Sequence, residues 1–592
     1  MLRLAAIFKD GAVLQRDRKV KIWGDTDWKV VYISMTDDEG AELCKLTCGA
    51  SDNSFVFEIG PFPAGGPYVI KISGDTEEIV LKDIYFGDVY IAGGQSNMEF
   101  ELQNSLDGKR EVSESNNPYI RFYYTSKVSW VGQELYKAEN DSAWEKCQPG
   151  KTGHWSACGY YFAKALSEVL NGDDLSDADG SEKQDTLDPF QNEKVMIGII
   201  GCNWGGTSAA CWMSREKLLE YPETAVYVSD YDKATKGQIL EEYLKELAEY
   251  EVYQAEFDKN VGNYYATNEN PSWEEAIKLF GENRYPGPMG PRNWTRPAGL
   301  YESMLKRIAP YGICGALWYQ GEEDDNRPYT YKRLLQSLTE EWKKVFENKE
   351  LPFYIVQLPI FKNEGEDDDK NWPFIREAQS DVCAEEENFG LAVSLESGEC
   401  HNIHPLNKET AGYRLAFQAL YRYYGIYGEW EACGPRLESS YAEGDSVYAE
   451  ISCCQQGLVT DGDDGFLEDL YFGDFLPEDS EFEVAGADGV YFPAKVQYLR
   501  SSSVSEKPSE VLDIYGSDYQ SFYQTQEELK GGGAILRIFS ERVPEPKYAR
   551  YFWKNYGRVR IFGANGIPLA PFRTSRDDGA RAVGSRQGML YS

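Results

Sequence analysis

The chain has 592 residues, 42% of them apolar and 14% aromatic, with 60 Lys and Arg against 98 Asp and Glu. A length near 150 residues per domain gives roughly three or four domains, each able to bury a core, and the apolar content excludes a disordered chain. The net charge of −38 argues against nucleic acid or an anionic membrane as partner, because phosphate repels such a surface.

The start, MLRLAAIFKDGAVLQRDRKV, is interrupted by Lys9 and Asp10 and lacks the apolar core of a signal peptide. No run of 18 apolar residues predicts a membrane span. Twelve scattered cysteines read as buried thiols in a reducing compartment, so the cytoplasm is the expected location. The sequons at Asn140 and Asn293 carry little weight without a secretory signal.

Residues 1–86 read as a small antiparallel β-sandwich-like domain. VLQ, KVKIWG, WKVVYISMT, SFVFEIG and YVIKISG are short Val-, Ile- and aromatic-rich runs separated by Gly, Asp and Pro. Residues 87–430 change pattern. Apolar strands (DVYIAGG, VMIGIIG, CGALWYQ, FYIVQLPIF, LAVSLES) alternate with helical segments, which predicts an α/β domain built on a parallel sheet. A polar, Asp-rich excursion is expected at 171–193. A helical hairpin insertion is expected at about 214–285, where ILEEYLKELAEYEVYQAEF has apolar residues at helical spacing; a partner-binding coiled coil is the alternative. From 431 to 592 the strand pattern returns in SVYAEIS, EFEVAGADGVYF, GAILRIFS and RVRIFG, predicting a C-terminal β-rich domain. EGEDDD (364–369) and DGDDG (461–465) read as acidic loops, the second without the spacing of an EF-hand.

Only three histidines are present: His154, His401 and His404. His404 sits in GECHNIHPLNKETAGYRLA, between an apolar strand and a helix, where open α/β folds gather ligands and catalytic groups; a surface role fits the same residue. His401 and His404 do not suggest a metal pair. Pro405 breaks any helix there and no further ligands complete a set, so neither metal nor cofactor is expected.

Three other strand-end loops carry chemistry. GGQSNMEF (93–100) places Ser96 in a tight turn before a helix, as a nucleophile or as an N-cap, and differs from the GxSxG elbow because Met98 replaces the second glycine. Gly205 and Gly206 in NWGGT can bring backbone N–H groups to a substrate, or simply turn the chain. In WYQGEED, Gln320 is a neutral donor suited to an oxyanion and Glu322 is able to orient an imidazole; the plain reading is an acidic rim. Together the four loops supply an acyl-transfer set.

Taken as a whole, the chain resembles the sialate O-acetylesterase-like carbohydrate esterases, a branch of the SGNH hydrolases, over nearly its full length. AAIFKDGAVLQRDRKVKIWG, GDVYIAGGQSNMEFEL, HWSACGYYFAKAL, CNWGGTSAACWMS, RPAGLYESML, GALWYQGEED, LPFYIVQLPIF, IREAQ, NIHPLNKETAGYRLA, PKYARYFWKN and NGIPLAPFRT follow in the family's order. The resemblance implies an SGNH-type, flavodoxin-like catalytic domain and a serine acyl-enzyme mechanism without cofactor. Ser96 would be nucleophile and His404 general base. The Ser96 N–H, a glycine N–H of Gly205–Gly206 and the Gln320 side chain would form the oxyanion hole. The aspartate usual three residues before the histidine is replaced by His401, and Asn402 stands where relatives carry an acid. Glu322 is then the first choice of orienting acid, with Glu396, Glu399 and a bare Ser–His dyad as alternatives. Arg376 and Gln379 of IREAQ are expected to brace the site. The expected substrate is an acetylated glycan: xylan or xylo-oligosaccharides first, since the acidic chain attracts anionic sialate poorly, with a 9-O-acetyl sialate as alternative. An inactive glycan-binding protein is a reading from another class. Oligomeric state is not legible.

Overall fold

The computed structural model describes residues 1–172, 194–268, 273–363, 368, 371–462, 466–471, 473–500 and 533–577. The expected excursion at 171–193 and the acidic runs at 364–369 and 461–465 lie largely outside these residues. No described helix is long and apolar enough to cross a membrane.

Six parallel strands form the centre: β1 (Glu78–Gly94), β2 (Asn117–Tyr124), β3 (Met196–Asn203), β4 (Gly315–Tyr319), β5 (Phe353–Val356) and β6 (Gly390–Ala392). Their spatial order is β2-β3-β1-β4-β5-β6, and Trp144–Cys147 adds an antiparallel edge on β2. Leaving β2 aside, the other five run in the order of a flavodoxin-like sheet, whose crevice opens where the chain reverses direction beside β1. Every residue of β3, β4 and β5 is buried, as expected of parallel strands covered on both faces. Two helix pairs pack around the sheet: Ala157–Asn171 against Glu409–Arg422, and Pro328–Val345 against Trp372–Glu385.

The change of pattern near residue 86 falls inside a single strand. β1 begins half-buried and antiparallel to Gly65–Ser73, then runs fully buried into the parallel centre. The N-terminal strands therefore share one apolar core with the α/β domain, from Ile7 and Phe57 to Trp318 and Leu415. The C-terminal β part has its own core, around Leu458, Val484, Leu536 and Tyr551.

The region expected as a helical insertion contains Arg215–Leu218, Pro222–Ala234, the long helix Leu240–Thr267 and Trp273–Phe280. Tyr243, Leu247 and Tyr250 bury one stripe of the long helix, with Trp294 packed against it.

Candidate active site

The loops that follow β1, β3, β4 and β6 meet at the carboxyl ends of the strands. Gly94 closes β1 with φ of 135°, and a Cβ there would lie 2.1 Å from the Tyr319 carbonyl oxygen. Glycine thus lets β1 and β4 meet immediately before the serine turn. Ser96 is the first residue of a one-turn helix, Ser96–Glu99, rather than its N-cap, which is Gln95.

The Ser96 hydroxyl lies 2.8 Å from His404 Nε2, across 308 residues of sequence. With a neutral imidazole whose Nε2 is unprotonated, the hydroxyl donates. Burial pushes the His404 imidazole down to about 4, the charge of Lys408 pushes the same way, and Glu99 acts in the opposite direction. A neutral, base-competent imidazole is therefore the form present at pH 7.

The acids expected to orient His404 sit elsewhere. Glu322 Oε1 accepts from Asn97 Nδ2 at 2.5 Å, and its Oε2 is buried without a hydrogen-bond partner among the described residues. Glu396 pairs with Arg414, and Glu399 accepts from the Leu406 N–H at 2.6 Å and from Asn402 Nδ2 at 2.9 Å. Among the described residues none of the three hydrogen-bonds the imidazole. Glu399 acts on the loop: the Asn402 side chain it holds accepts the His404 backbone N–H at 3.1 Å. His401 is turned away, with Nδ1 2.7 Å from the Lys362 carbonyl.

Two members of the expected oxyanion set are committed to other acceptors. The Gly205 N–H donates to Glu99 Oε2 at 2.6 Å. The Gln320 amide donates to Asp324 Oδ2 at 2.7 Å and to the Thr207 carbonyl at 3.2 Å. The reason is Asp324, a fully buried carboxylate that must collect donors. It also takes Ser208 Oγ at 2.6 Å, the Ala209 N–H at 2.9 Å and Tyr227 Oη at 2.9 Å. The Ser96 and Gly206 N–H groups have no acceptor among the described residues. Gly206 has φ of 65°, and a Cβ there would fall 1.9 Å from Tyr285 Oη. That hydroxyl donates to the Gly206 carbonyl at 2.6 Å, so the end of the helical insertion reaches the glycine loop.

Three residues passed over in the sequence knit the site. Asn97 bridges Glu322 to Lys408, whose ammonium donates to Asn97 Oδ1 at 2.7 Å and to the Pro405 carbonyl at 2.6 Å. Lys408 thereby ties the His404 loop to the serine turn, and burial pushes its amine down to about 8. Glu99 joins Lys127 in an ion pair while holding Gly205. Position was the available signal: Asn97 and Glu99 flank Ser96 within one turn, and Lys408 follows His404 by four. Arg376 and Gln379 brace from behind; the Gln379 amide donates to the Gln320 carbonyl at 3.0 Å.

The family described as carbohydrate esterase, sialic acid-specific acetylesterase matches residues 288–416. The mouse sialate O-acetylesterase (Mus musculus) is 24% identical over 72% of this chain and 74% of its own length. The human protein (Homo sapiens) is 23% identical over 72% of this chain and 71% of its own. A carbohydrate acetylesterase from Xanthomonas citri has the same fold, with a TM-score of 0.66 and 23% identity over 97% of this chain and 100% of that one. The chain is a carboxylic ester hydrolase similar to the sialate O-acetylesterases and, in fold, to a carbohydrate acetylesterase.

Proposed function

We propose that the protein removes O-acetyl groups from carbohydrates through an acetyl-serine intermediate. The observation that carries the reading is the 2.8 Å contact between Ser96 Oγ and His404 Nε2 at the switch point of the sheet. His404 takes the hydroxyl proton as Ser96 Oγ attacks the acetyl carbonyl, then returns it to the departing sugar oxygen. Water activated by the same imidazole releases acetate. The free Ser96 and Gly206 N–H groups are the donors assigned to the oxyanion, Gly205 and Gln320 being engaged elsewhere. Lys408 and Asn97 keep the base loop on the nucleophile turn, and Asn402 fixes the backbone of His404. The reading gives the protein an SGNH-type catalytic domain.

The base must be neutral to accept the proton, and its folded pKa is pushed down to about 4. Activity is therefore present above that value and lost as pH falls through it. The expected profile of kcat/KM between pH 3 and 7 has its acid limb near 4; a limb between 6 and 7 would show an imidazole neither desolvated nor opposed by Lys408.

For the sugar, a neutral acetylated xylo-oligosaccharide is the first expectation, supported by the net charge of −38 and by the pairing of Lys127 with Glu99 beside the serine. The names of the curated relatives favour a sialate instead. Acetate release from acetylated xylo-oligosaccharides and from 9-O-acetyl sialic acid, measured side by side, separates them. At least tenfold higher kcat/KM on the xylan fragments is the expected result; the reverse order makes the sialate the substrate, and release from neither excludes both sugars.

A further inference from the structure

A second reactive cluster lies away from the serine, where the α/β domain hands over to the C-terminal β part. The short helix Glu429–Ala432 ends at Cys433, and the strand Arg436–Glu443 starts three residues later. That strand pairs antiparallel with Ser446–Ser452, with Arg436 opposite Ser452, so the ladder brings Cys453 back beside Cys433. Both thiols are buried. Their sulfurs and a Glu429 carboxylate oxygen all lie within 4.8 Å of one another.

Arg436 sits on this cluster. One guanidinium nitrogen is 2.8 Å from Cys453 Sγ and the other donates to Glu429 at 2.7 Å. Gln418 Nε2 reaches Cys433 Sγ at 3.6 Å. The guanidinium supplies the positive charge that a metal ion would bring, which favours a thiolate rather than a metal centre. Arg436 and Glu429 are partly exposed, at 41% and 38%, so a small solute meets them before it meets the sulfurs.

We propose that Cys433 and Cys453 form an oxidisable dithiol that closes to a disulfide at the junction between the catalytic domain and the C-terminal β part, with a peroxide as oxidant. The pair's first proton leaves readily. Cys433 is pushed below the usual thiol range by its interaction with Cys453 and then by the charges of Arg436 and Arg422, against burial, while Cys453 is pushed up. The sulfurs, already within 4.8 Å, close to a bond of about 2.05 Å. In the first step a thiolate attacks the O–O bond, forming a sulfenic acid and releasing hydroxide. In the second, the other thiol displaces the sulfenic oxygen, and its proton leaves with that oxygen as water. The two sulfurs lose two electrons and peroxide gains them; with the proton shed by the first thiol taken up by the hydroxide, the products are the disulfide and two waters.

The test uses the full-length protein and hydrogen peroxide. After quenching, free thiols are alkylated under denaturing conditions and a non-reducing digest is read by mass spectrometry. The expected product is a Cys433–Cys453 linked peptide pair, two hydrogens lighter than the separate peptides, restored by a thiol reductant and absent in Cys453→Ser. Exposed Cys400 reports whether the oxidant acted. Oxidation of Cys400 with both Cys433 and Cys453 recovered as alkylated thiols overturns the proposal, as does a link from Cys453 to Cys454. The wild-type digest decides the matter even where a variant folds poorly.

Discussion

Ser96→Ala lowers kcat on an acetyl ester by roughly four decades or more, because nucleophile and base act as one unit and little remains when either is removed. The same change leaves the fold intact. Among the described residues the Ser96 hydroxyl hydrogen-bonds only the His404 ring nitrogen, at a partly exposed position, so its loss costs about 1 kcal/mol of stability or less. The check pairs steady-state rates with thermal unfolding of the same two samples. Activity above a tenth of wild type in a folded variant removes Ser96 from the reaction.

Arg376→Met has its effect on stability. The guanidinium is fully buried and donates to the carbonyls of Leu358 and Pro359 at 2.8 Å, Lys554 at 2.8 Å and Asn555 at 3.0 Å. It thus clips the segment after β5 to the C-terminal segment at 554–555. Burial pushes its pKa down to about 9, and Asp368 acts in the opposite direction, so it remains charged at pH 7. Methionine fills similar space and orphans the Leu358, Pro359 and Lys554 carbonyls, while the Asn555 carbonyl keeps the Phe361 N–H at 3.1 Å, an expected loss of roughly 3–5 kcal/mol. A chain with two cores need not unfold in one step, so the first transition in urea is the one to follow. A shift worth less than about 1 kcal/mol would mean that water satisfies those carbonyls. Arg376→Lys rescues little, since an ammonium has three donors and no planar fork.

The two residues at the centre of the site were legible for different reasons. Ser96 was marked by a glycine pair at a strand end, and His404 by the scarcity of histidine and by its place between strand and helix. Gly205 and Gln320 were legible as donors but not as donors already engaged. Their acceptors, Glu99 and Asp324, are carboxylates whose direction depends on packing. Asn97 and Lys408 look like surface residues in sequence; only the fold brings the lysine under Phe100 and Tyr319, where its ammonium lies 4.7 and 5.7 Å from the ring centres. The shift in pattern near residue 86 reflects a change of environment along β1. One strand leaves a half-buried antiparallel ribbon and enters a parallel sheet covered on both faces. Composition records that change as sharply as it would a linker.

On this mechanism His404 makes Ser96 nucleophilic. The direct measurement is covalent capture with a fluorophosphonate, followed by peptide mass spectrometry, in wild type and in His404→Ala. One adduct on Ser96 is expected in the wild type, forming at least a hundredfold more slowly in the variant. An adduct on another residue, or equal rates of labelling in the two proteins, would contradict the mechanism.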